Sequence, residues 1–223
     1  AGAIFDLDGN VTGFYDNQVD DYTQDHFQLH WNEQLSPSWN FSVGLNYTYG
    51  RGFYEEYNDL WYTQNISFGP ETSYSYLQIP QTNITEYLVN QTENISQKWL
   101  DNQYYVLTLR MNYQDSKTTL NFGGLASRYV GDHFGVLLWG QQIGETRPNH
   151  RFYENQGVKN EGSAFIKISQ KLNSKWNAFL DLQLRGINYN VGGKIVGPSD
   201  FEVADKFLFF NPKAGLTYNY SDN

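Results

Sequence analysis

Four histidines are the residues best suited by chemistry to contact a metal chelate or a haem: His26, His30, His133 and His150. An imidazole nitrogen is a common ligand of metals and of haem iron. His26 and His30 fall on the same side of one predicted strand, four residues and therefore roughly 13 Å apart, which is too far for them to share one ion. All four are candidate ligand contacts; the alternative is that they are polar residues without a ligand.

Two further sets of side chains are candidate ligand contacts. Arg110 and Arg185 are predicted to lie on the polar side of strands, with Lys167, Asp181 and Lys213, where cations could attract an anionic ligand or could simply be solvated. Aromatic residues of predicted loops could capture a planar or sugar-like ligand, or could pack within the loops. These aromatic residues are Trp61, Tyr62, Tyr74, Tyr76, Trp99 and Trp139.

Several classes of site are not expected. The chain has no cysteine, which excludes disulfides and cysteine-bound zinc or iron–sulfur centres. It has no Gly-x-Ser-x-Gly, His-Glu-x-x-His or Gly-x-x-x-x-Gly-Lys motif, so we expect neither an enzyme nor a bound cofactor. The run from Asp6 to Asn10 resembles part of a calcium loop without its full ligand series, and a hairpin turn is the simpler interpretation.

The elements that position these residues are predicted to be β-strands. The 18 Tyr, 15 Phe and 6 Trp favour pleated, half-buried surfaces. The net charge of −9 and the absence of a basic run argue against a nucleic-acid partner. No stretch approaches the ~20 apolar residues of a membrane helix, and the mean hydropathy is −0.62. Window averages, however, miss membrane strands whose two sides alternate.

The clearest strand runs from Trp39 to Gly50, where every odd position is apolar and every even position is polar or small. Such alternation predicts a strand with one apolar and one polar face, at a length that suits a tilted membrane strand of about 9–11 residues. Similar patterns cover residues 26–32, 104–113, 176–185 and 210–220, with weaker ones at 118–130 and 162–172. The Gly123-Gly124 pair is predicted to mark a bulge.

Short and long connections alternate along the chain. Tight turns are predicted at 36–38, 115–117 and 173–174, and long loops at about 1–20, 54–102, 131–160 and 191–205. The expected fold is therefore an all-β, antiparallel up-and-down meander of about seven long strands, with all tight turns at one end. A sandwich or a propeller blade is the alternative, but sandwich strands are shorter and no internal repeat supports a propeller.

Several segments resemble the TonB-dependent outer-membrane receptors of Gram-negative bacteria. The segments are Phe14-Tyr15-Asp16-Asn17-Gln18-Val19-Asp20, Asp25-His26-Phe27-Gln28-Leu29-His30, the run from Tyr47 to Tyr57, and Phe209-Phe210-Asn211-Pro212-Lys213-Ala214-Gly215-Leu216. The likeness spans essentially the whole chain. It implies a roughly 22-stranded barrel with short periplasmic turns and long extracellular loops, whose interior holds a separate plug domain that is not visible in residues 1–223.

The resemblance implies part of a receptor for energy-dependent uptake of a scarce ligand, with ferric siderophore or haem ranked first. The implied partners are the TonB energy-transducing complex, acting through the plug domain, and the lipid of the bacterial outer membrane. Charged residues that point inward would then contact the plug or the ligand. From another class, a self-contained cell-surface β-sandwich or small barrel that acts as a binding or adhesion module remains the alternative. Because Ala1-Gly2-Ala3 is neither an initiator methionine nor a signal peptide, we expect an internal fragment.

Overall fold

Seven long strands form one antiparallel sheet in the computed structural model, which describes residues 2–63, 65, 73–79, 92–194 and 200–220. The strands are β3 Asp20–Ser36, β4 Trp39–Asn58, β5 Asn94–Gln114, β6 Thr118–Gly140, β7 His150–Lys171, β8 Trp176–Lys194 and β9 Asp200–Tyr218. Each pairs only with its neighbours in the chain, in the order β3-β4-β5-β6-β7-β8-β9. The predicted meander is confirmed. Within the described residues the sheet is not a closed barrel, and β3 and β9 are its edges.

The strand registers extend the alternation of β4 across the sheet. Leu45 lies opposite Leu29 of β3 and Leu107 of β5, whereas Ser42 lies opposite Arg110 of β5. Side chains of directly opposed residues point to the same side of a sheet. We call the side that carries Leu45 the apolar face and the side that carries Ser42 the polar face, and we call a set of opposed residues across the strands a register row.

The strands are longer than the alternation predicts, at 17 to 23 residues. β4 continues to Asn58 and β5 begins at Asn94, inside the predicted loop 54–102. Likewise β6 and β7 occupy most of 131–160, and β8 and β9 occupy most of 191–205. These loop boundaries are corrected accordingly. The pattern fails there because polar and aromatic residues occupy both faces, so strand pairing continues without an apolar stripe.

Tight turns lie at one end of the sheet, which we call the lower end, and the longer connections lie at the upper end. Asp115 closes one turn by accepting hydrogen bonds from the backbone N–H groups of Lys117 and Thr118, at 2.8 and 2.7 Å. The predicted bulge at Gly123-Gly124 is wrong, because the pairing of β6 is continuous there. The register of β6 and β7 shifts instead between Gly135 and Val136.

Smaller elements pack on the upper end. Residues 1–20, predicted as a loop, contain a hairpin of β1 Ala3–Phe5 and β2 Val11–Phe14. Two short helices follow β4, α1 Leu60–Tyr62 and α2 Ser73–Tyr76. None of the helices in the described part of the chain is long and apolar enough to cross a membrane. The buried hydrophobic residues lie at this end of the molecule.

Candidate functional site

Tyrosine side chains lie across the polar face near the middle of the sheet. A Cβ at Gly50 would collide with the hydroxyl of Tyr22, and a Cβ at Gly131 would lie 2.5 Å from the hydroxyl of Tyr129. Glycine at both positions therefore gives the two rings room to lie over the backbone. The amide of Asn102 joins them, because its Nδ2 donates to Tyr22 Oη at 3.2 Å and its Oδ1 accepts from Tyr129 Oη at 2.7 Å. These residues line a cavity of ≈ 310 Å³, the tyrosine cavity.

One register row supplies much of the rest of this cavity. Opposite Thr48 it places Tyr104 of β5, Tyr129 of β6, Lys159 of β7 and Tyr189 of β8. Lys159 Nζ lies 3.1 Å from Glu161 Oε2, and Glu161 Oε1 lies 2.7 Å from Arg185 Nε. One carboxylate between two cations leaves the trio with a net positive charge. Aromatic rings beside such a charge suit a planar, anionic ligand.

A second cavity of ≈ 470 Å³, the upper cavity, lies further along the polar face. Its wall includes Tyr54, Lys98, His133 and Tyr153. Lys98 Nζ lies 2.7 Å from Glu56 Oε1 and 5.1 Å from the centroid of the Tyr54 ring. Burial is the largest single influence on the pKa of Lys98 and lowers it, but the charges of Glu56 and Tyr76 and the hydrogen bonds with Glu56 and Tyr54 together raise it further, so the ammonium stays protonated. Burial raises the pKa of Tyr153 to about 12, which keeps its phenol a neutral donor.

The segment that follows α2 packs beside the upper cavity. Its apolar residues form a small core with β6 and β7, made of Leu77, Ile79, Leu137 and Phe152. His150 Nε2 lies 3.1 Å from the carbonyl oxygen of Leu77, which ties the segment to the start of β7. The ring of Tyr76 lies 5.6 Å from that of Phe152. This segment therefore covers the polar face at the upper end.

The N-terminal hairpin packs on the upper end of β4 and on α1. Phe5 stacks on Trp61 of α1 with ring centroids 4.7 Å apart, and its backbone N–H donates to Asp59 Oδ2 at 2.7 Å. Below the hairpin, Tyr15 Oη donates to Glu55 Oε1 at 2.6 Å. Glu55 belongs to the same side of β4 as Tyr49 and the other odd-numbered residues, so these contacts are on the side opposite the two cavities.

The predicted histidine and arginine contacts are spread over the polar face. His133 lines the upper cavity, and His26 shares a register row with the tyrosine cavity, with its Nδ1 3.0 Å from Thr48 Oγ1. His150 contacts a backbone carbonyl, and Arg185 pairs with Glu161. His30 and Arg110 lie closer to the lower end and line neither cavity. The structure thus brings together only part of the predicted set.

Of the three tryptophans predicted as ligand contacts, Trp61 and Trp139 line neither polar cavity, and Trp99 forms part of the wall of the upper one. Trp61 packs on the N-terminal hairpin. Trp99 and Trp139 belong to strands β5 and β6, so their predicted loop location is wrong. Trp99 stacks between Phe53 and Phe134, at 4.6 and 5.9 Å, on the side of the sheet that continues the apolar face.

The sequence prediction missed most of the residues that line the two cavities. Tyr54 and Lys98 fell in a predicted loop, and Tyr129 in a weak strand. One signal was present: Tyr104 is a large aromatic residue at a position where alternation predicts the polar face, next to Tyr105 on the apolar face. The register row of Thr48 places Tyr104 on the polar face, as the alternation predicts.

In the described residues, no group of three or more His, Asp or Glu side chains could hold a metal ion. The candidate calcium loop is a turn held by its own backbone. Asp6 Oδ1 accepts from the N–H groups of Asp8 and Asn10 at 3.0 and 2.8 Å. These bonds and the Asn10 side chain lower the pKa of Asp6.

Comparison with known proteins identifies the fold. No protein-family profile matches the sequence, and no curated protein matches it. Among solved structures, the chain is similar to the ferric-catecholate import receptor Fiu from E. coli K12. The TM-score is 0.62 at 13% sequence identity, and the match covers 96% of this chain and 36% of the receptor. The chain therefore has the fold of part of a receptor β-barrel and spans just over a third of that receptor's length.

Proposed function

We propose that this chain is part of an outer-membrane receptor that takes up a ferric siderophore or haem. The observation behind the proposal is the match of the seven-stranded meander to a ferric-catecholate import receptor over 96% of the chain. In this assignment the apolar face contacts lipid and the polar face lines the interior of a closed barrel. Further strands of the complete protein pair with the edges β3 and β9. A TonB complex acting through a plug domain supplies the energy.

The chemistry of the polar face supports an iron chelate as the ligand. A ferric tris-catecholate is a trianion with planar rings, and haem is a planar dicarboxylate. The tyrosine cavity offers the rings of Tyr104 and Tyr129 beside Lys159. The upper cavity adds Lys98 and the candidate iron contact His133. Stacking and charge attraction can act on either chelate without a metal ligand from the protein.

The position of the two cavities also fits uptake. Outer-membrane barrels carry their long connections on the outside and their tight turns on the periplasmic side. The upper cavity, beside the long connections, would then meet the ligand first. The tyrosine cavity lies further along the same face and would receive it next.

A binding titration of the complete protein tests this proposal. The protein is recovered from outer membranes in detergent, and quenching of its tryptophan fluorescence is followed as ferric tris-catecholate or haem is added. We expect Tyr104→Ala to weaken binding about three- to tenfold, because it removes one aromatic contact from the tyrosine cavity. Tyr105→Ala is the matched control, since the adjacent ring stacks on Tyr47 of the apolar face.

The outcomes distinguish an uptake receptor from a self-contained binding module. Binding of either chelate that is weakened by Tyr104→Ala and not by Tyr105→Ala supports the proposal. If neither chelate binds, or if both substitutions weaken binding equally, the proposed ligand site is wrong. Recovery of the folded protein without detergent would contradict the receptor and favour a self-contained binding module.

A further inference from the structure

The apolar face has a groove over β6 and β7. Two adjacent register rows carry small residues there between large ones on the neighbouring strands. The rows read Leu107, Ala126, Gly162, Gly186, Leu208 and Leu109, Gly124, Ala164, Leu184. A depression of ≈ 710 Å³ spans β4 to β9 and includes Gly124 and Ala164 in its lining, and one of ≈ 570 Å³ spans β3 to β6 and includes Ala126 and Arg128. We call this feature the apolar groove.

Two of the three glycines of the groove are not required by the packing of the sheet, whereas a Cβ at Gly124 would lie 2.8 Å from the carbonyl oxygen of Ser163. A Cβ at Gly162 would meet no atom within 4 Å, and the nearest atom to one at Gly186 is Leu208 Cδ1 at 3.9 Å. Neither residue has a positive φ. By contrast, a Cβ at Gly52 or Gly123 would collide with the backbone of the adjacent strand. Glycine weakens a strand by about 0.5–1 kcal/mol, so open glycines are expected where another molecule approaches the backbone.

The next register row towards the upper end forms the rim of the groove. It reads Arg128, Asn160, Asn188, Lys206 on β6 to β9. On β3 to β5 the same row holds Phe27, Tyr47 and Tyr105, whose stacked rings mark the level of a membrane interface. The rim therefore lies at the depth of lipid headgroups if the apolar face contacts lipid.

The rim is positively charged, and its cations can reach a ligand. Arg128 and Lys206 are exposed, and neither forms an ion pair with any residue that the structure describes. On the same face of β6 to β9, carboxylates begin two register rows higher, at Asp132 and Glu202, roughly 13 Å along the strands. Two cations flanking two amides suit a phosphate group, which accepts hydrogen bonds from both.

We propose that the apolar groove and its rim bind a phosphorylated acyl lipid of the surrounding membrane. An acyl chain lies along the floor of Gly124, Ala126 and Gly162, and the phosphate lies against Arg128 and Lys206. This inference rests on the proposed placement of the apolar face in lipid. It differs from the proposed ligand uptake, which uses the opposite face of the sheet.

Native mass spectrometry of the complete protein in detergent tests the lipid site. The two probes are diphosphorylated lipid A and the same lipid after enzymatic removal of its phosphates. We expect the phosphorylated form to be retained about tenfold better. The double variant Arg128→Gln/Lys206→Gln should remove that preference, whereas Lys175→Gln, which removes a cation in a lower-end turn, should keep it.

Filling the groove tests the acyl contact. Gly162→Phe should lower the retention of both probes, because the ring would occupy the floor of the groove. Ala214→Phe is the matched control, since Ala214 lies on the apolar face near the lower end. Gly162→Ala should fold normally and retain both probes, because its Cβ meets open space.

Two results would overturn the lipid site: equal retention of the two probes by the unsubstituted protein, or unchanged retention after Gly162→Phe. Ferric tris-catecholate is titrated into the same samples, and its Kd should not change in any of these variants. If the unsubstituted protein binds no chelate, the proposed uptake function is wrong, but the lipid site is not affected. Lipid retention then decides whether the lipid site exists.

Discussion

Above the register row of Tyr47 the sheet buries apolar side chains against its own loops, whereas below that row it leaves them open. In the upper half, Leu77, Leu137 and Phe152 have no exposed surface. In the lower half, Leu208 is 73% exposed and Phe210 is 61% exposed. The same strands run through both halves, so strand formation does not account for the difference.

Under the proposed receptor assignment, the difference reflects two environments of the chain. The upper half has a small core and covering segments, which bury Leu77, Leu137 and Phe152. The lower half has exposed apolar residues on one face and polar residues on the other, which suits the proposed contact of the apolar face with lipid. The two halves should therefore be sensitive to different substitutions: the upper half to loss of a buried side chain, and the lower half to a charge on the apolar face.

The largest effect is expected for Phe152→Ala in the upper half. Removing a fully buried ring from a small core costs about 3–5 kcal/mol, so the segment around Leu77 should detach from the sheet. Hydrogen exchange of the amides of residues 75–79 in the complete protein measures this loss of protection. Phe210→Ala, in the exposed lower half, is the control and should leave that protection unchanged. Equal exchange in both variants would mean that the upper core does not hold the segment.

A smaller effect is expected from a charge on the apolar face. If the apolar face contacts lipid as proposed, Leu184→Arg places a cation near the centre of the bilayer and should cost about 2–4 kcal/mol. Its neighbour Gln183 faces the polar side, so Gln183→Arg should be tolerated. The folded fraction of the complete protein in lipid vesicles is compared on unheated gels. If the two variants assemble equally well, the two faces are not exposed to different media.

The smallest effect is a release of the N-terminal hairpin at high pH. Burial and the hydrogen bond to Glu55 raise the pKa of Tyr15 to about 12. The ring of Tyr57 lies 5.7 Å from that of Tyr15, and burial and the hydrogen bond to Glu93 raise the pKa of Tyr57 to about 12. Because these values exceed the unfolded value near 10, the stabilisation is complete below pH 10 and is lost as pH rises towards 12. The hairpin should therefore loosen between pH 10 and 12.

Fluorescence anisotropy of a label on Leu7→Cys measures the mobility of the hairpin across this pH range. Leu7 is exposed in the turn between β1 and β2, so the label should not disturb packing. Tyr15→Phe removes one titrating group and should make the anisotropy less dependent on pH. A release already complete at pH 9 would show that the phenols do not hold the hairpin.

The lower half was predictable from the sequence and the upper half was not. The alternation from Trp39 to Gly50 predicts both the strand and its faces, because there one side of the sheet is apolar and the other is polar or small. Beyond Gly50 the residues that follow, such as Arg51 and Glu55 on one side and Tyr54 on the other, carry no such contrast. The strand continues through backbone pairing, which leaves no pattern in side-chain polarity.

For the candidate site, the sequence predicts only on which face of the sheet its residues lie. The alternation places His26 and Arg110 on the polar side of their strands, in agreement with the register. It does not predict that Tyr22 and Tyr129 meet at Asn102, since that contact joins residues 80 and 27 positions apart in the chain. Nor does it predict the core around Leu77, which depends on how one connection folds back.

Pairing of every long strand with its chain neighbours alone has a consequence for assembly. Because no ladder of the large sheet joins strands distant in the chain, the sheet can grow by adding one hairpin at a time. Each completed strand then presents the template on which the next one forms. If assembly pauses, the partly formed sheet keeps the edge on which the next strand pairs. Growth can then resume without first breaking a wrong long-range contact.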